Sequence, residues 1–283
     1  MPQTLAEALR QAETQGQGHG LTRLDAQRLL LHALTRNSND RAWLLAHDTD
    51  PLPEPAAERF QTLLARHAGG EPMGYLLEEQ AFFGLTLRVD PRVLVPRPDT
   101  ETLVQWALDL LDTLPQPPAL LDLGTGSGAI ALAVKSQRPT ATVHASDTSE
   151  AALAVARGNA ERLGMAITLH TGDWFDAVPG RRFHLIVSNP PYLAEDDTHL
   201  SALRHEPISA LTAGPDGLAD IRRLVDGAPE RLCPGGWLLL EHGHGQANPV
   251  RALLQTRGFE AVTSCNDLAG IARCSGGRWP LRR

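Results

Sequence analysis

Hydrophobic and polar positions divide the chain into two regimes. From Thr4 to Ala68 apolar residues recur at roughly helical spacing: Leu5, Leu9 and Ala12, then Leu24, Leu29, Leu30 and Leu34, then Trp43, Leu44 and Leu45. Asp25, Asp40 and Glu54 sit near helix starts, Pro51, Pro53 and Pro55 punctuate a connection, and Gly69-Gly70-Glu71-Pro72 closes the region. The histidines here (His19, His32, His47, His67) are dispersed, so the pattern predicts a small all-helical domain, built for partner recognition or for stability alone. Ala81–Val89 and Val93–Pro96 then read as two strands around an Asp90-Pro91 turn, a hairpin joining two domains. Asp99 or Thr100 is placed to cap a helix running through Leu111. Asp99 and Glu101 either suit the dipole of that helix or line a site.

From Ala119 onward strand and helix patterns alternate. Strands are expected at Ala119–Leu123, Thr142–Ala145, Ile167–His170, His184–Val187 and Gly236–Glu241, with a final pair near Phe259–Ser264 and Ala269–Cys274. Helices are expected at Ile130–Ser136, Glu150–Leu163, Gly217–Leu232 and Pro249–Thr256. That alternation predicts an α/β, doubly wound parallel sheet.

Composition narrows the class of protein. A chain of 283 residues exceeds a typical single domain, and 42% hydrophobic content is ample for a core. No apolar run is long enough to span a membrane, and Met1–Glu7 lacks the basic and apolar regions of a signal peptide. Cys233, Cys265 and Cys274 are scattered and odd in number, which fits a reducing cytoplasm and no disulfide framework. A formal net charge of −7 argues against a protein held mainly by nucleic-acid phosphates. Arg278, Arg282 and Arg283 form only a small solvated cluster at the tail.

The chemistry lies at two strand ends. Leu185-Ile186-Val187-Ser188 is a buried strand that stops at Asn189-Pro190-Pro191-Tyr192, where two prolines force the chain out of the sheet in a rigid extended form. The Asn189 side-chain amide, the Pro190 carbonyl and the Tyr192 ring are thereby held where open α/β sheets bind ligands. Two acceptors and a flat aromatic face suit a planar group bearing an NH2, whose nitrogen is a poor nucleophile. Holding it against a strong electrophile is most of the catalysis available. Upstream, Asp122-Leu123-Gly124-Thr125-Gly126-Ser127-Gly128-Ala129 is a strand, a glycine turn and a helix start. Gly124, Gly126 and Ala129 also satisfy a dinucleotide fingerprint, and Asp147 is positioned to hold ribose hydroxyls in either class. A pyrophosphate cofactor leaves Asn189–Tyr192 without a purpose, whereas S-adenosylmethionine supplies a methyl for the nitrogen held there. Asp173 or Trp174, after the third strand, is placed to flank an adenine, with packing the plain alternative for Trp174.

Asp122-Leu123-Gly124-Thr125-Gly126-Ser127-Gly128 and Asn189-Pro190-Pro191-Tyr192 resemble motifs I and IV of class I methyltransferases that modify amino nitrogens. Phe82-Phe83-Gly84-Leu85, Val95-Pro96-Arg97-Pro98-Asp99-Thr100-Glu101, Glu206-Pro207-Ile208-Ser209-Ala210-Leu211 and Asp267-Leu268-Ala269-Gly270 resemble the release-factor glutamine methyltransferases (PrmC/HemK family) more narrowly. The resemblance covers nearly the whole chain. One departure is visible: Leu77-Glu78 stands where that family has Thr-Gly. The resemblance implies a class I S-adenosylmethionine-dependent methyltransferase with a Rossmann-like sheet. Residues 1–78 would form a helical release-factor-recognition domain, 79–96 a β-hairpin linker and 97–283 the catalytic domain. Gly124, Thr125, Gly126, Ser127, Gly128, Asp147, Trp174 and Asn189 would contact S-adenosylmethionine. Asn189, Pro190, Pro191 and Tyr192 would hold the glutamine of the Gly-Gly-Gln motif of class I peptide chain release factors. A cytoplasmic monomer with no metal, no stable nucleic-acid partner and no membrane association is expected.

Two rivals fit less of the chain. A DNA adenine methyltransferase would use the same four residues on a flipped base, yet needs a basic target-recognition region. A binding module that only retains the fold would not need the glycine loop, Asp147 and Asn189–Tyr192 together. His242 and His244 alternate near a strand end, but two histidines without a third ligand point to surface or hydrogen-bonded roles rather than a metal.

Overall fold

The computed structural model describes residues 3–281 apart from 17 and 19; Met1, Pro2, His19, Arg282 and Arg283 lie outside the described residues. The chain divides after Gln80 into two compact units. The first is helical: α1 (Leu5–Gly16), α2 (Arg23–Ala33), α3 (Arg41–Ala46), α4 (Glu54–Ala68) and a single turn, α5 (Met73–Leu76). Helical spacing places Leu5, Leu9 and Ala12 on one face of α1, where they bury with Leu29 and Leu30 of α2, Leu44 of α3 and Phe60 of α4. Asp25 does not cap α2 itself; Thr22 does, with Asp25 completing a capping box. Asp40 caps α3 by accepting the Trp43 N–H. Glu78, one of the two residues that depart from the family pattern, adopts φ 56°, the left-handed region where glycine carries no steric cost.

The hairpin forms, but in a different register from the one expected. Its strands are β1 (Glu79–Phe82) and β2 (Leu85–Arg88), and its turn is Phe83-Gly84, not Asp90-Pro91. A two-residue turn matching strand twist needs positive φ at both central positions, and these two residues have φ 47° and 76°. Asp90 instead takes the Arg92 N–H and guanidinium locally. Val93–Pro96 is not a strand: the Val95 N–H donates to the buried Glu206 carboxylate at 2.9 Å rather than to a neighbouring strand. The entry to α6 (Glu101–Leu111) is reached through a 3-10 turn over Pro98–Thr100; Thr100 stands at the N-cap position as expected, but its side chain makes no capping hydrogen bond.

The remaining elements alternate as expected: β3 (Ala119–Leu123), α7 (Ala129–Gln137), β4 (Thr142–Asp147), α8 (Glu150–Leu163), β5 (Thr168–Thr171), β6 (Phe183–Ser188), α9 (Ala219–Arg231), β7 (Leu232–Glu241), α10 (Ala247–Arg257), β8 (Glu260–Asn266) and β9 (Ala272–Arg278). They build a seven-stranded sheet in the order β5-β4-β3-β6-β7-β9-β8. β3 through β7 run parallel, and β9 is antiparallel to both β7 and β8. Central strands are apolar on both sides, as a sheet covered by helices on each face requires. Leu120, Leu185, Val187 and Leu239 bury with α6 and α7, while Leu121, Leu123, Ile186, Leu238 and Leu240 bury with α9 and α10 on the opposite face. Strand order reverses at β3 and β6, whose last residues pair as Leu123↔Ser188. The crevice past that pair is where such sheets bind ligands, and both sequence motifs emerge there.

Candidate active site

β3 delivers the chain into the glycine loop. The Gly124 and Thr125 N–H groups both donate to the Ser146 carbonyl at 2.9 Å, which ties the start of the loop to β4. Gly126 sits at φ 54°, and a β-carbon built there would meet no protein atom within 4 Å, so its backbone faces open space. Asp147, the last residue of β4, accepts the Gly126 N–H through Oδ2 and the Ser149 N–H through Oδ1, each at 2.9 Å. Asn159 of α8 is fully buried and donates to the Ser127 carbonyl at 3.0 Å, bracing the far side of the loop.

β6 delivers the second motif. The Asn189 Nδ2 donates to the Thr100 hydroxyl at 3.2 Å, while no described residue donates to its Oδ1 or to the Pro190 carbonyl. The Tyr192 backbone is clamped between Leu211, whose carbonyl takes its N–H at 3.2 Å, and Gln246, whose amide donates to its carbonyl at 3.0 Å. The Tyr192 phenol reaches Glu241 at 3.5 Å. Burial, reinforced by the Glu241 charge, pushes that phenol above its usual range, so it stays a protonated donor.

Between the motifs lies a cleft of about 290 Å³, near the lower bound for small-molecule sites. Of the residues expected to bind cofactor or acceptor, Gly124, Gly126, Asp147, Trp174, Asn189 and Pro191 line it. Thr125 and Ser127 are buried and serve the loop: the Thr125 hydroxyl donates to Asp122 Oδ2 at 2.6 Å. Gly128 turns the chain into α7. Pro190 is buried, and neither it nor Tyr192 lines the cleft. Trp174 lines the cleft with its ring against Gly124, and its indole N–H donates to Asp220 at 3.2 Å, so packing and lining are both true of it. Asp173 pairs with Arg223 at 2.6 Å at the same end of the cleft.

Sequence reasoning missed several lining residues: Arg92, which fell in the expected turn, Val93 and Leu94, which were assigned to a strand, Ser209 and Ala210, and the α9 pair Asp220 and Arg223. The sequence carried a signal for Ser209 and Ala210, which fall in a quoted family stretch; the helical pattern of α9 gave none for Asp220 or Arg223. Asp99 and Glu101 do not line the cleft. Asp99 pairs with Arg273 at 3.2 Å, and the Glu101 carboxylate accepts the Phe83 N–H at 2.8 Å, pinning the hairpin turn. His242 is buried and neutral, its usual range lowered by desolvation, and shares a 2.8 Å hydrogen bond with Ser275; His244 is exposed. No group of three or more histidine, cysteine or acidic residues among the described residues is arranged to hold a metal.

Two buried carboxyls sit under the site. Desolvation pushes Glu241 up to about 7, with the Thr100 hydroxyl opposing and Asp99 reinforcing. Asp122 is likewise pushed up to about 7 by desolvation, against hydrogen bonds from Thr125 and the Ala131 N–H. A carboxyl whose folded value exceeds its unfolded one favours the fold at low pH, and that contribution is lost as pH rises from about 4 through about 7. Asp122→Asn therefore gains Tm relative to the parent protein across that window, a difference in which Glu241 cancels. Parallel Tm-against-pH curves for the two proteins would show that Asp122 is ionised throughout.

Comparison with known proteins agrees with this geometry. A family profile described as "Methyltransferase small domain" matches residues 107–210, and one described as "PrmC N-terminal domain" matches residues 7–77. A methyltransferase from Pyrococcus furiosus shares the fold with a TM-score of 0.54 at 21% identity, over 71% of this chain and 91% of that one. Strand order, glycine loop and cleft define a class I methyltransferase. The release factor glutamine methyltransferase of Bordetella pertussis is 53% identical over 262 residues, 91% of this chain and 95% of that protein. Its counterpart in Burkholderia pseudomallei is 48% identical over 288 residues, 99% and 97% of the two chains. The chain belongs to the release factor glutamine methyltransferase family.

Proposed function

We propose that the protein transfers a methyl group from S-adenosylmethionine to the side-chain amide nitrogen (N5) of the glutamine in the Gly-Gly-Gln motif of class I peptide chain release factors. The observation that carries this reading is the uncommitted acceptor Asn189 Oδ1, in a residue that lines the cleft at the strand end beside the glycine loop, with the Pro190 carbonyl, to which no described residue donates, next to it in the chain. A carboxamide NH2 has two N–H bonds to give and a nitrogen lone pair conjugated away, so two acceptors aim it without competing for the lone pair.

The residues present fit the cofactor. Asp147 keeps a lone pair free on each oxygen after its two backbone bonds, which suits a ribose diol. The Trp174 ring offers a flat face at the cleft, and the open side of Gly126 allows close approach of a ligand to the backbone. When bound, S-adenosylmethionine supplies a methyl on a positively charged sulfur, an electrophile strong enough for a weak nitrogen nucleophile. The protein's part is positioning. Asn189 and Pro190 fix the nitrogen, Tyr192 restricts the amide plane, and the cleft wall keeps the acceptor from turning. Such pre-alignment is worth up to about 7–11 kcal/mol, so no strong base is needed before the proton departs to water. The amino-terminal helical unit is assigned to recognising the release factor, and a translation factor as acceptor puts the reaction in the cytoplasm.

Incubation of labelled S-adenosylmethionine with a purified class I release factor is expected to label that factor. A factor carrying Gln→Ala in the Gly-Gly-Gln motif should stay unlabelled, as should duplex DNA. Label on DNA, or on the Gln→Ala factor, overturns the assignment.

A further inference from the structure

Trp174 is a bulky residue in a backbone conformation that glycine adopts at no cost. Its φ is 47°, in the left-handed region, and a large side chain stays there only where the surroundings enforce it. Those surroundings are three residues of one helix. Asp220, Arg223 and Gly227 of α9 are spaced i, i+3 and i+7, so they share a face. Each takes one residue of the turn after β5. Asp220 Oδ1 accepts the Trp174 indole N–H at 3.2 Å, and Arg223 Nη2 donates to Asp173 Oδ2 at 2.6 Å. Gly227 makes room for Phe175, because a β-carbon at 227 would lie 2.6 Å from that ring. Arg223 Nη1 also stands 3.7 Å from Asp220 Oδ1, which joins the two polar grips.

The consequence falls on the cleft. An indole has one polar atom, a donor only, so the acceptor it finds decides where that edge of the ring goes. With Nε1 held at α9, the opposite edge reaches the glycine loop: a β-carbon at Gly124 would stand 3.3 and 3.5 Å from Cζ3 and Cη2. Trp174 is thus pinned at both edges, and Gly124, Asp173, Trp174, Asp220 and Arg223 all line the same cleft. A ring already fixed at its edges offers its face to a planar base, with no ordering left to be done on binding. Leucine at 220 would fill the space but leave the indole N–H without its acceptor.

We propose that Asp220 is a positioning residue for cofactor binding. By accepting the Trp174 indole N–H it fixes the ring against which the adenine of S-adenosylmethionine stacks, while Arg223 holds Asp173 beside it. The proposal rests on the S-adenosylmethionine reading above. It needs a hydrogen-bond acceptor at position 220, and it acts through the indole N–H alone.

Titration calorimetry with S-adenosylmethionine, in the absence of acceptor, tests this on the parent protein, Asp220→Leu, Trp174→Phe and the double variant, which together form a cycle. Phenylalanine keeps a flat ring but has no N–H for Asp220 to take. Asp220→Leu is expected to weaken affinity about 10-fold in the parent background and less than about twofold in Trp174→Phe. At saturating cofactor its kcat for labelling a release factor is expected to stay within about threefold of the parent value. Asp220→Asn, which keeps an acceptor oxygen, is expected to hold affinity within about threefold. A merely structural role lowers Tm and costs the same factor in both backgrounds. That equal cost, or undiminished affinity in a folded Asp220→Leu, overturns the proposal. If Asp220→Leu does not fold, Asp220→Ala runs the same cycle. A parent protein that does not bind S-adenosylmethionine removes the cofactor reading and the proposal with it, whereas a parent that binds and a cycle without coupling removes the proposal alone.

Discussion

Asn189→Ala is expected to lower kcat by at least about 10²-fold while leaving Tm close to that of the parent protein. The scale is that of a reacting group displaced by about 1 Å. Asn189 contributes one hydrogen bond to the protein, the 3.2 Å contact from Nδ2 to Thr100, and its Oδ1 is committed to nothing. Removing the side chain thus costs the fold little, since the prolines that follow and the clamps on Tyr192 hold the backbone independently. What is lost is one of two acceptors that orient the amide nitrogen, and a weak nucleophile has no compensating reactivity. Asn189→Asp sharpens the test. It keeps an acceptor toward the cleft but removes the N–H given to Thr100, so it should retain more activity than alanine if acceptance is what matters. A folded Asn189→Ala that turns over normally would remove this residue from the reaction.

The parts of the site legible in the sequence are those written as backbone constraints. Two prolines after an apolar strand, and glycines after another, state where the chain must bend and which atoms are left facing a ligand. Both motifs emerged at the reversal of strand order between β3 and β6, and Asp147 closed the glycine loop from the neighbouring strand. The catalytic unit was legible for the same reason: parallel strands covered on both sides read as continuous apolar runs. Features that depend on a distant partner were not legible. Val93–Pro96 has the composition of a strand, yet its backbone donor is satisfied by Glu206, more than a hundred residues away. The hairpin turn moved to Phe83-Gly84 because positive φ at a non-glycine residue carries no sequence mark. Thr100 read as a helix cap from its position, and only the contact across 89 residues shows its hydroxyl accepting from Asn189 instead. The polar side chains on α9 that line the cleft, Asp220 and Arg223, look like any solvated helical face until Trp174 and Asp173 are seen opposite them.

Asp147→Ala should have the mirror-image effect, weakening S-adenosylmethionine binding by about 10- to 100-fold while saturating cofactor restores most of kcat. Hydrogen bonds to a charged group contribute about 1.5–3 kcal/mol each, and every 1.4 kcal/mol is tenfold in affinity. Asp147 is placed to act twice, through the ribose it would hold and through the loop it organises. Its Oδ2 takes the Gly126 N–H and its Oδ1 the Ser149 N–H, so the carboxylate fixes both the floor of the cleft and the first turn of α8. Asp147→Asn separates these contributions: its single oxygen can keep one backbone bond but not both, and an intermediate affinity is expected. Titration calorimetry with S-adenosylmethionine, in the absence of any acceptor, reads the effect directly. Because Asn189 stands at the end of β6 and Asp147 at the end of β4, their substitutions should combine nearly additively, one acting mainly on kcat and the other mainly on affinity. A double variant whose affinity falls far below that of Asp147→Ala alone would instead mean that holding the cofactor, not aiming the acceptor, is the main task of Asn189.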